Sequence, residues 1–98
     1  MANTVVVQKW EESERGWGTR PDGYTLHLSV TDRDSYVKEY WARMPDTVPA
    51  EYSRPAGTAY TTEVDDLTYL TVRQSANGIE RAGAPPNDPG YDGWVSRK

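Results

Sequence analysis

The chain has 98 residues, a formal net charge of −4 and no cysteine. That length accommodates one domain, since a second core would need roughly another 50 residues. The missing cysteines exclude disulfides, thiolate zinc sites and a cysteine nucleophile, and the mild acidity, spread evenly over both halves, argues against a nucleic-acid binder with a basic face.

Aliphatic residues are scarce. There is no Phe, Ile79 is the only isoleucine, and Leu26, Leu28, Leu67 and Leu70 are the only leucines. Valine and aromatic residues must therefore build the core, each buried Trp or Tyr removing about 150–250 Å² from water. The N-terminal residues lack the basic and apolar pattern of a signal peptide, and no stretch is long enough to span a bilayer. The expected setting is the cytoplasm, without membrane attachment.

Residues 4–10, with three consecutive valines, predict a buried strand. Residues 11–23 follow as a long polar loop. Residues 24–30 alternate strictly: Tyr24, Leu26, Leu28 and Val30 face one way and Thr25, His27 and Ser29 the other, predicting a half-exposed strand. Thr31 is expected to cap a helix whose first turn is acidic. Tyr36, Val37, Tyr40, Trp41 and Met44 form its core-facing stripe, and Pro45 stops it.

Residues 46–59 read as irregular and residues 60–64 as a third strand. Asp65 is placed to cap a helix over residues 66–76 that Asn77-Gly78 would end, with Ile79 packing back on it and Val64, Leu67 and Leu70 at helical spacing. The Thr, Tyr and Val content of this segment also allows a strand turning at Asn77-Gly78; the helix is the preferred reading. The expectation is an α+β fold: a small antiparallel sheet of about three strands packed on one long amphipathic helix, with a second helix, as a single domain over residues 1–81. Residues 82–98 form an extended Pro/Gly-rich tail that Tyr91 and Trp94 would pin to the body or to a second subunit.

One motif repeats. Thr19-Arg20-Pro21-Asp22-Gly23 and Ser53-Arg54-Pro55-Ala56-Gly57 share hydroxyl, Arg, Pro, any residue, Gly. Each predicts a β-turn starting at its arginine. Aromatic side chains flank both: Trp17 and Tyr24 in one case, Tyr52 and Tyr60 in the other. Arginine grips phosphate or carboxylate through two parallel hydrogen bonds, and aromatic rings stack on bases. Arg20, Arg54 and Arg15 with Trp17, Tyr24, Tyr52 and Tyr60 are thus the candidate site for a nucleotide-like anion; two ordinary surface turns would give the same pattern. Trp17, between two glycines, is either a ligand lid or a core residue folded back.

Catalysis finds little support. His27 is the only histidine and reads as a partly exposed strand residue, with no nucleophile elbow, phosphate loop or histidine metal pair nearby. No catalytic residue, metal or cofactor is expected. A core this small points to a homodimer or higher oligomer.

The stretch GWGTRPDGYTLHLS (residues 16–29), followed by residues 32–57 and the SxNGI pattern at residues 75–79, resembles small uncharacterised proteins of bacteriophages and mobile elements. That resemblance implies an accessory protein acting inside an infected bacterium. By analogy with such proteins it would antagonise host immunity by sequestering a nucleotide signal, or else by binding and occluding a host defence protein.

Overall fold

The computed structural model describes residues 3–14, 19–44, 51–83 and 85–87. Six elements follow in chain order: β1 (Thr4–Glu14), β2 (Thr19–His27), α1 (Val30–Ala42), β3 (Glu51–Glu63), α2 (Asp66–Arg73) and β4 (Ile79–Arg81). The four strands make one sheet in the order β3-β1-β2-β4, and every neighbouring pair is antiparallel. The fold is α+β.

Both faces of the sheet are covered. Val5 and Val7 of β1, with Leu26 of β2, meet Val72 of α2 in one apolar cluster, bordered by Tyr24, Leu28, Tyr60, Val64, Tyr69 and Ile79. Side chains alternate along a strand, so Gln8 and Trp10 of β1 and Thr25 and His27 of β2 lie on the opposite face. There α1 covers them: Tyr36 packs edge-on against Trp10 and His27, and Tyr40 against Trp10. This corrects the half-exposed strand, because Thr25 and His27 are both buried. They are polar because the face they share carries polar partners.

Local chemistry sets the helix boundaries. Ser29, two residues before the expected Thr31, is the N-cap of α1, and its hydroxyl accepts from the Asp32 N–H. Its extended backbone (φ −151°) suits a cap, which lies just outside the helical conformation. Asp65 caps α2 as expected, its carboxylate accepting from Thr68 N–H. Within α2 the inward stripe is Tyr69 and Val72; Leu67 and Leu70 point outward, 75% and 46% exposed. Of the expected α1 stripe, Tyr36 and Tyr40 face Trp10, while Trp41 is 39% exposed.

The repeated Arg-Pro-x-Gly segments are strand rather than β-turn, because both pair with the central strand β1. Pro21 stands opposite Glu11, and Pro55 opposite Trp10. Proline lacks the N–H a second neighbour would need; β3 is an edge strand, and β4 covers β2 only from Tyr24 to Leu26. Each repeat ends in a glycine at positive φ, Gly23 at 76° and Gly57 at 73°, where β2 and β3 carry extra residues and the register with β1 shifts. Such bulges twist and bend a strand. The β1 residues that the two ladders skip are Trp10 on the β2 side and Gln8 on the β3 side.

β4 is a fourth strand beyond the three expected. Its three residues lie where the sequence suggested only a chain packing back. The segment after it crosses to the far edge: Tyr60 donates its hydroxyl to the Pro86 carbonyl (2.8 Å), Asn87 donates to the Thr62 hydroxyl (2.8 Å), and Pro85 is buried. Tyr60 and Thr62 stand opposite Val7 and Val5, so this strap runs over the α2 side.

Candidate functional site

A directed chain of hydrogen bonds runs through the α1 face. The Trp10 indole N–H donates to Thr25 Oγ1 at 2.9 Å. His27 Nδ1 lies 2.7 Å from the Asn77 carbonyl, which can only accept, so Nδ1 carries a proton. Burial lowers the His27 pKa, with the Arg33 guanidinium adding to that effect, although the Asn77 carbonyl and Asp32 oppose it. In the neutral ring Nε2 is then the acceptor, and Thr25 donates its hydroxyl proton to it at 2.7 Å. His27 is 0% exposed with both nitrogens engaged. It is therefore a structural ring, not the partly exposed residue its isolation suggested.

Gln8 satisfies the neighbouring bulge. Its amide nitrogen donates to the carbonyls of Lys9, Ala56 and Gly57, and its oxygen accepts from Arg33 Nη1 at 2.9 Å. One side chain thereby fixes α1 to the sheet and replaces the ladder bonds missing at the β3 bulge.

Between α1 and the β2–β4 edge lies an open cleft of about 380 Å³. Trp10 is its floor, with Tyr36 and Tyr40 as walls. Each tyrosine ring stands 71° from the Trp10 plane, with centroids 6.2 and 5.0 Å away. One end is fully bonded: the Tyr40 hydroxyl donates to the Ser53 carbonyl at 2.6 Å, and the Ser53 hydroxyl donates to the Asp22 carboxylate. Burial raises the Tyr40 phenol pKa, the Ser53 carbonyl lowers it, and Asp22 raises it further. At the other end Glu80 borders Tyr36, whose pKa burial raises, with Glu80 adding to that and Arg43 opposing it. Arg81 and Gly83 complete this rim.

The expected site residues disperse. Arg54 Nε bonds Glu11 Oε2 at 2.5 Å, and this hydrogen-bonded pairing raises its pKa. The Arg20 position stands opposite Glu12. Tyr52 packs edge-on against Trp41 at 6.0 Å, and Tyr60 holds the strap. Tyr24 alone borders the cleft. Arg15, Trp17, Tyr91 and Trp94 lie outside the described residues.

The cleft residues the sequence reading missed left uneven signals. Trp10 closes a valine strand, and a buried indole needs an acceptor; Thr25, on the adjacent strand, was the legible candidate. Glu80 and Arg81 lie on β4, which had no strand signature. Among the described residues no group of three or more His, Cys, Asp or Glu is arranged to hold a metal, and no helix is long and apolar enough to cross a membrane. Comparison with family models, curated proteins and solved structures gives no match for this chain.

Proposed function

We propose that this protein is a non-enzymatic binding protein that sequesters a nucleotide-like anionic signal molecule, in keeping with a phage-encoded antagonist of bacterial immunity. The observation that carries the reading is the aromatic cleft on the α1 face. Its volume, about 380 Å³, falls within the roughly 300–1,000 Å³ of small-molecule sites. Three aromatic rings offer faces and edges to a flat base. Arg81 is the basic residue of the lining; its guanidinium donates to the Glu80 carbonyl, and it is the cation of this lining suited to meet a phosphate.

Thermal denaturation with linear and cyclic nucleotides tests this. Ligand at 100 times its dissociation constant adds about 2.7 kcal/mol, a shift of roughly 10 °C or more for a domain of this size. Tyr36→Ala should abolish that shift. No stabilisation by any nucleotide at millimolar concentration, with none retained in native mass spectrometry, refutes the reading.

A second reading is occlusion of a host protein. Leu67, Leu70 and Trp41 favour it, as large apolar side chains exposed on the two helices. Leu67→Asp with Leu70→Asp would then abolish the antagonism in infected cells and leave nucleotide binding intact. We also propose a two-fold homodimer, since the buried apolar side chains among the described residues, Pro85 apart, are only Val5, Val6, Val7, Trp10, Leu26 and Val72. A one-chain mass by light scattering across a hundredfold dilution excludes it.

A further inference from the structure

We propose that Glu80 and the Tyr36 hydroxyl read the edge of the bound base, selecting a ring on which an exocyclic amino group adjoins an unprotonated ring nitrogen, as in adenine or cytosine. The inference rests on the sequestration reading above and deepens it.

The geometry begins with register. Glu80 stands opposite Thr25 in the β2–β4 ladder. Thr25 is bonded to both Trp10 and His27. The Tyr36 ring packs on those same two side chains, with centroids 6.2 and 5.2 Å away. Glu80 and Tyr36 therefore meet at one end of the cleft that both line.

The two ends of the cleft differ in what they leave unpaired. At the Tyr40 end, phenol, Ser53 and Asp22 are bonded to one another. At the Tyr36 end, neither the phenol nor the Glu80 carboxylate has a hydrogen-bond partner among the described residues. An ionised carboxylate only accepts. A phenol that burial and a nearby carboxylate keep protonated donates. The pair thus presents one acceptor and one donor side by side above an aromatic floor.

Adenine matches this pattern: its amino group donates to Glu80 while N1 accepts from Tyr36. Cytosine matches through its amino group and N3. Deamination reverses both contacts. Hypoxanthine and uracil set a carbonyl oxygen against the carboxylate, which has no proton to give it, and make the phenol turn its proton away to accept from the ring N–H. A site built on such bonds rejects the reversed pattern because its own groups are left unpaired.

Calorimetric titration of the full chain with the 5′-monophosphates of adenosine, inosine, cytidine and uridine tests the inference. Adenosine should bind at least about tenfold tighter than inosine, and cytidine at least about tenfold tighter than uridine, as expected for bonds to a charged group. Glu80→Gln and Tyr36→Phe should each shrink both preferences to about threefold or less, and circular dichroism confirms that the variants fold. Tyr36→Phe keeps the ring, so it tests the edge without removing the wall. Four equal affinities overturn the edge reading and leave sequestration standing. Preferences that persist in both variants overturn the assignment to these residues. Binding of none of the four, nor of other nucleotides, removes the sequestration reading itself.

Discussion

Gly78→Ala offers the sharpest test of the packing between β2, α2 and β4. Gly78 has φ of 149°, in a region that side-chain-bearing residues rarely adopt. A Cβ there would stand 2.3 Å from His27 Nδ1, 2.8 Å from His27 Cε1 and 2.7 Å from the Leu26 carbonyl oxygen. The imidazole cannot yield cheaply, because Thr25 and Asn77 hold its two nitrogens. Moving it would break a buried hydrogen bond at about 1–3 kcal/mol, in addition to about 1–3 kcal/mol of backbone strain. The expected loss is roughly 2–6 kcal/mol, a large part of the 5–15 kcal/mol typical of a domain. Gly57→Ala is the control. Its φ of 73° is also positive, yet the nearest atom to its Cβ is Lys9 Cε at 3.8 Å, so strain of about 1–2 kcal/mol is all it meets. Urea denaturation and thermal melting should separate the two variants by about 10 °C or more. Equal melting temperatures would refute the claim that Gly78 is required by close approach to His27.

Other predictions follow from the same contacts. The folded His27 pKa is lowered, so its contribution to stability is full above the unfolded value of about 6.5 and is lost as pH falls through the folded value, with a slope of up to about 1.4 kcal/mol per pH unit; urea midpoints from pH 8 to 4 should fall with acid, and His27→Gln should flatten that dependence. Ser29→Ala should cost about 1 kcal/mol through the lost cap while Thr31→Ala costs almost nothing, and equal costs would reassign the start of α1. Val72→Ala should destabilise by about 2–3 kcal/mol, whereas Leu67→Ala, on the outward face, should stay within about 0.5 kcal/mol of the parent in the same unfolding experiment.

Much of the architecture was legible because it follows local rules. The valine run, the alternation through β2, and the Asp65 cap each use short-range chemistry that a sequence displays. What the sequence hid depends on long-range pairing. The Arg-Pro-x-Gly repeat has turn composition, yet both copies pair with β1 and become bulged strand. β4 is three residues whose strand character comes only from lying beside Tyr24, Thr25 and Leu26. Leu67 looked like core because of its spacing, but the position of the Asp65 cap turns Tyr69 and Val72 inward instead. The cleft was harder still: Trp10 ends a segment whose composition says only buried strand, and Glu80 enters the cleft through β4, whose three residues carry no strand signature.

The order in which this sheet is assembled has a cost in time. β1 emerges first, yet its neighbour β3 ends at Glu63, and β4, with the strap over Tyr60, comes later. Pairings this distant in the chain make folding slower than that of a helical bundle of the same size. Synthesis at roughly 5–20 residues per second leaves Trp10 and the valines of β1 waiting for partners that have not been made. A nascent chain cut short before Glu80 would carry the floor of the cleft without its rim. The cleft is thus complete only once β4 has been made, and a fragment that ends before it is expected to aggregate through its unpaired strand edges.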